Sequence, residues 1–181
     1  APTSFFERLQ RETASERASL ATAPIIERAL RGAASLASYR AFLHEAFHHV
    51  RHTVPLLRAC RARLPGRLSW MYPALDDYIA EEHGHDQWIL DDVAACGGDP
   101  ENVRSASPGA ATELMVAYAY DTIARGNPVA FFGMVLVLEG TSVALALHAA
   151  DHIQACLGLP DSAFTYLRSH GVLDREHTHH L

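Results

Sequence analysis

The chain is poor in cysteine, carries no excess of positive charge and has no run of alternating apolar and polar residues. Each shortage removes a class of protein. Its three cysteines, Cys60, Cys96 and Cys156, are odd in number and far apart in 181 residues. No CxxC or Cys–His ligand spacing occurs, which argues against a zinc ribbon or a redox dithiol. Free thiols in a reducing compartment are the simplest reading. No basic segment followed by an apolar run opens the sequence, so no signal peptide is evident and a cytoplasmic protein is expected. The formal net charge of -6 and a pI of about 6.0 give no electrostatic reason to expect nucleic acid as a partner. No window combines period-two alternation with β-branched enrichment, so no strands are expected. Internal repeats, linkers and low-complexity tracts are missing as well.

What is present reads as helix. Apolar residues make up 49% and charged residues 20%, ordinary for a soluble globular chain with a real core. One domain over residues 1–181 is expected. Ser4 is placed to cap a first short helix, and Pro24 stands in the first turn of IIERAL, which Gly32 ends. Ser38 to Leu64 reads as one long amphipathic helix kinked at Pro55. Arg67 to Cys96 reads as the next, broken near Pro73 and stopped by Gly97 and Gly98. Gly98 to Ser107 reads as loop. Ser107-Pro108 opens a helix that Gly126 ends, Asn127-Pro128 opens a long apolar one that Gly158 closes, Pro160 opens a short one, and Ser169 caps the last. The sum is an all-α bundle of about seven helices.

Val129 to Ala150 is long and apolar enough to raise the question of a membrane span. It holds Glu139 near its middle together with Thr141, Ser142 and His148, and no Lys or Arg anchors it. A carboxylate at that depth in lipid is costly. A central helix buried on all sides of a soluble bundle is expected instead, with no membrane partner.

The 12 histidines are the compositional outlier, bunched at 44–52, 83–85, 148–152 and 170–180. His170, Asp174 and His177 are spaced by four and then three residues, which on a helix puts two imidazoles and a carboxylate on one face. A polar, exposed terminal helix is the alternative, since His179 and His180 fit no shared stripe. Glu82-x-x-His85 is the spacing by which helix bundles present a carboxylate and an imidazole to one metal ion. Its alternative is a solvated charged turn. Glu139 sits among Val135, Leu136, Val137 and Leu138 with no Lys or Arg within a turn. A buried carboxylate needs a metal or a cation beside it, so the choice is between a metal ligand and a salt bridge to an arginine distant in sequence. Taken together, these are three carboxylates and three histidines on three helices. Nitrogen and oxygen donors without thiolate suit iron or manganese.

On these motifs, Glu82-x-x-His85, the isolated Glu139 and His170-x-x-x-Asp174-x-x-His177, the chain resembles the heme-oxygenase-like diiron oxidases. They are a branch of the superfamily that also holds the TenA-type thiaminases and the PQQ synthase PqqC. The resemblance spans most of the chain from His44 onward. It implies a seven-helix fold and two weakly held ferrous ions, with manganese as the other candidate, bound by Glu82, His85, Glu139, His170, Asp174 and His177. It further implies oxygen activation on a small organic substrate such as an amine, amino acid or fatty acid. A homodimer is expected.

The early helix adds LHEAFHHVRHTVPLL, in which His48 and His52, and Glu45 and His49, are i,i+4 pairs. One pair is a candidate to support the ligands by hydrogen bonds, or to add one, with His48, His49 and His52 as the residues concerned. A His-rich solvated face is the alternative. Phe131, Phe132 and Met134 are candidates for an apolar substrate pocket or for plain core packing. Two other functions stay open. A TenA-like C–N hydrolase needs a nucleophilic cysteine beside carboxylates, and no cysteine adjoins a Glu or His cluster. A non-catalytic ligand-binding or regulatory dimer of the same fold needs no six-residue ligand set.

Overall fold

The computed structural model describes residues 4–169, the side chains of 142–144 excepted. Among the described residues there is no strand. The chain runs through α1 (Phe5–Glu12), α2 (Ala14–Ala21), α3 (Pro24–Leu30), α4 (Leu36–Val50) and α5 (Thr53–Arg63). It continues through α6 (Tyr72–Glu81), α7 (His85–Ala95), α8 (Pro100–Ser105), α9 (Ala110–Arg125) and α10 (Phe131–Leu157). Short 3-10 turns cover Gly66–Met71, Pro128–Ala130 and Asp161–Ala163, and the chain is helical again over 165–169. The all-α expectation holds. The helices outnumber the expected seven because stretches read as single are broken.

The breaks have local causes. Ser38–Leu64 is not one kinked helix but α4 and α5, parted at Arg51 and His52. Pro55 has no N–H to reach the Arg51 carbonyl and its ring crowds that oxygen, so the first helix stops and a second starts with Pro55 in its first turn. The break expected near Pro73 is present, since α6 starts at Tyr72 with Pro73 in its first turn. A second break follows at Gly84, whose φ of 95° is left-handed. The stretch 98–107 is not all loop. The Asp99 side chain accepts from the Glu101 amide at 3.0 Å and Pro100 opens α8. A capping Asp followed by a first-turn Pro starts a helix as readily as it marks a turn. α9 starts at Ala110, past Ser107-Pro108. The last helical segment starts at 165, before Ser169.

The described chain forms two compact units. The larger comprises Ser35–Met134 and Leu159–Tyr166. In it α4 packs on α7, α8 and α9, α5 packs on α6 and α9, and α7 meets the Asp161–Ala163 turn. Leu43, Phe47, Leu56, Leu57, Ile89 and Leu90 are at most 1% exposed, and burying each stabilises the unit by about 1.5–3 kcal/mol. The Tyr39 hydroxyl donates to the Ala163 carbonyl at 2.7 Å while its ring stacks on Phe164 at 5.1 Å. Arg40 Nε donates to the Cys96 carbonyl at 3.1 Å, satisfying an acceptor at the end of α7.

The described residues of the second unit are 4–34, Val135–Gly158 and 167–169. Its contacts include Arg168 Nη2 donating to Gln154 at 2.6 Å and Asp151 at 3.1 Å. The Cys156 thiol lies 3.8 Å from the Ala34 carbonyl. Among the described residues no single helix is long and apolar enough to cross a membrane.

Candidate metal centre

Glu82 and His85 do not stand on consecutive turns of one helix, as their spacing had suggested. α6 ends at Glu81, Glu82 is its cap, and His85 is the first residue of α7. Gly84 makes the turn between them in a left-handed conformation that glycine adopts at little cost. The turn still brings the two side chains together. His85 Nδ1 lies 3.1 Å from Glu82 Oε2, with the residues 1% and 5% exposed. Trp88, one turn further along α7, stacks on the imidazole with ring centroids 4.1 Å apart.

This pair fits a metal such as iron in two respects. It supplies one oxygen and one nitrogen donor without thiolate, the set that suits iron or manganese. The two donors are also buried side by side, in hydrogen-bond contact at 3.1 Å.

Glu139 is on α10 and 7% exposed, as its apolar neighbours required. The Arg17 side chain of α2 runs past Gly140, where a Cβ would meet its Cδ at 4.0 Å, and its Nη2 donates to the Gln10 carbonyl at 2.6 Å. Glu139 belongs to the second unit, Glu82 and His85 to the larger one. His170, Asp174 and His177 lie outside the described residues. Among the described residues no group of three or more His, Cys, Asp or Glu converges to hold a metal ion.

The histidines of α4 have other described contacts. His48 is 5% exposed, its ring 4.7 Å from that of His44. Its Nε2 is buried without a hydrogen-bond partner among the described residues. Burial, and then the charges of His44 and Arg51, hold its pKa below the ordinary value. His52 Nδ1 lies 3.1 Å from the Tyr120 hydroxyl on α9, and burial lowers its pKa also. His49 is half-buried. Glu45 turns to α9, accepting from the Gly109 amide at 3.0 Å and from the Thr112 hydroxyl.

Asp92 was not singled out by the sequence motifs. It is fully buried on α7, and its two oxygens accept from the Thr165 and Tyr166 amides at 2.9 Å each. Burial raises its pKa while those amides lower it. One signal was legible: Asp92 follows His85 by seven residues, two turns along the same face.

Burial pushes the Cys60 and Cys96 thiols up to about 11. A raised pKa disfavours the thiolate, the form that a C–N hydrolase would need as its nucleophile. Phe131 is buried with its ring 5.9 Å from that of Phe132, an arrangement that core packing explains.

The profile of a family described as iron-containing redox enzymes matches residues 40–181, a stretch that includes all six ligand-type residues. A solved structure from Shewanella denitrificans OS217, described as a domain of unknown function with a heme oxygenase-like fold, is similar with a TM-score of 0.84. The two are 27% identical, over 99% of this chain and 77% of that one. No curated protein matches.

Proposed function

We propose, for a chain that belongs to the iron-containing redox enzyme family, that it is an oxygen-activating oxidase or oxygenase acting on a small organic substrate. The observation that carries the reading is the buried Glu82–His85 pair, a carboxylate and an imidazole held 3.1 Å apart. Glu82, His85, Glu139, His170, Asp174 and His177 would hold two ferrous ions, with manganese as the alternative. When bound, the metal supplies the electrons that dioxygen needs before it reacts with an amine, amino acid or fatty acid.

The chain's own part is to build and protect the donor set. A ligand imidazole must present a lone pair and a ligand carboxylate must be ionised. The 3.1 Å approach of His85 Nδ1 to Glu82 Oε2 would hold both donors side by side for such an ion. Trp88 covers one face of the imidazole, which restrains ring rotation and keeps water off that side. A cytoplasmic homodimer that meets neither nucleic acid nor membrane is the corresponding setting.

The test is an anaerobic ferrous iron titration of the metal-free protein, followed by oxygen and by optical and Mössbauer spectra. About two irons per chain, oxidised together on exposure to oxygen, is the expected result. No uptake, or uptake that Glu139→Ala and His177→Ala leave unchanged, overturns the reading in favour of a non-catalytic binding protein of the same fold.

A further inference from the structure

The histidines of α4 hold a donor pair that the iron reading leaves unused. His44-Glu45-Ala46-Phe47-His48 is an H-E-x-x-H sequence, and it lies wholly within α4. On a helix this spacing sets two imidazoles one turn apart on one face, the arrangement by which such a pair grips a zinc ion. The two rings lie together, with centroids 4.7 Å apart. Each is held at one nitrogen. His44 Nδ1 lies 3.2 Å from Glu45 Oε1. An ionised carboxylate only accepts, so Nδ1 carries the proton and Nε2 keeps its lone pair. The Val103 backbone bonds the His48 ring, and Nε2 is the nitrogen left without a partner among the described residues. His48 is 5% exposed, and a buried polar atom left unmatched calls for a bound water or an ion.

We propose that His44 and His48 form a binding site for a divalent late transition ion, of the zinc, copper and nickel group, with Nε2 of each ring as a ligand and water in the remaining positions. Imidazole nitrogens suit these ions. Glu45 is a positioning residue: an acceptor on Nδ1 fixes the tautomer and makes Nε2 the better donor. It is not the general base that the glutamate of this pattern supplies in metalloproteases, because its oxygens are taken by the Gly109 amide at 3.0 Å and by the Thr112 hydroxyl. The site is therefore one for binding and not for hydrolysis. Among the described residues no third His, Cys, Asp or Glu completes a set. Structural zinc sites have four protein ligands, so two predict an exchangeable ion. The His44 side chain is 25% exposed, which gives the ion a way in. His44, Glu45, His48, Val103, Gly109 and Thr112 all belong to the larger unit. The inference goes beyond the iron reading and uses neither Glu82 nor His85.

The experiment is a zinc titration of the metal-free chain, followed by calorimetry and by nitrogen-edited spectra of the imidazoles, and repeated on His44→Ala, Glu45→Gln and His85→Ala. The expected result is that zinc moves the Nε2 signals of His44 and His48 together and saturably. His85→Ala, which breaks the proposed iron pair, should leave that response unchanged. Glu45→Gln should weaken zinc at this site roughly tenfold, as loss of a partner behind a ligand does, and His44→Ala should weaken it further. Nε2 signals that zinc leaves in place, or that move at one histidine without the other, overturn the inference in favour of a buried water at His48. So does His44→Ala binding zinc at His48 as tightly as the original chain. None of these outcomes touches the iron reading, which its own titration decides. The spectra of the unmodified chain need no variant, so a misfolded substitution does not remove the test.

Discussion

His85 Nδ1 and Glu82 Oε2 meet at 3.1 Å across a helix break, not along a continuous helix. The i,i+3 spacing survives because Gly84 turns the chain once and His85 restarts the helix at once. The consequence is a donor pair whose relative placement depends on one left-handed residue.

Gly84→Ala therefore tests the turn directly. A Cβ there meets nothing within 4 Å, so the cost is backbone conformation alone, at φ 95°. A loss of about 1–2 kcal/mol is expected in urea denaturation, with a smaller loss for Gly84→Asn, because asparagine tolerates this region better. Equal stability of all three chains would show that the turn is not strained by a side chain.

His48 makes stability depend on pH. Its pKa lies below the ordinary 6.5, first through burial and then through His44 and Arg51, with Glu45 and the Val103 backbone pulling weakly the other way. The folded chain thus binds fewer protons here than the unfolded chain once pH falls below 6.5. Stability is complete above that value and is lost as pH falls toward the folded pKa. His52, lowered by burial, acts in the same direction. Denaturation midpoints measured across this range should fall with acid, and His48→Phe should flatten part of the slope.

Glu45 replaces the side chain that Gly109 lacks at the start of α9. It accepts from the Gly109 amide and the Thr112 hydroxyl, and the Thr112 bond is the chief cause of its lowered pKa. Glu45→Gln should cost about 1 kcal/mol at neutral pH, the usual size of a lost cap. A lowered carboxylate contributes stability above its ordinary value of 4.5 and loses it as pH falls. The difference between Glu45→Gln and the original chain should therefore narrow in acid.

The thiols should separate by accessibility. Cys156 is exposed, whereas Cys60 and Cys96 are buried with pKa values of about 11. An aromatic disulfide reagent at neutral pH should modify Cys156 alone in the folded chain and all three after denaturation. Fast reaction at Cys60 or Cys96 would revive a thiol nucleophile and with it the hydrolase reading.

Much of this was legible in residue order. Helix class followed from apolar periodicity, and the burial of Glu139 followed from its neighbours, because the preferences involved are local. Errors fell where a local signal has two uses. Pro55 reads as a kink and proves to lie in the first turn of a new helix, and Asp99-Pro100 reads as loop and proves a cap with a first helical residue. In both cases the sequence pattern is compatible with either outcome, and packing selects one: α5 lies on α6 and α9, α8 on α4 and α7.

By itself the sequence determined the all-α fold class, a candidate donor set free of thiolate, and a carboxylate and an imidazole close enough in order to meet. Tertiary structure alone decided that Asp92 and Glu45 cap helices begun 73 and 64 residues later, as their bonds to Thr165 and Gly109 show. It also decided that Arg17 passes beside Gly140. The reason is physical. Propensity and periodicity act over a few turns, whereas a buried charge is matched by whichever group the packed helices bring against it, and that group's distance along the chain leaves no trace in the local pattern.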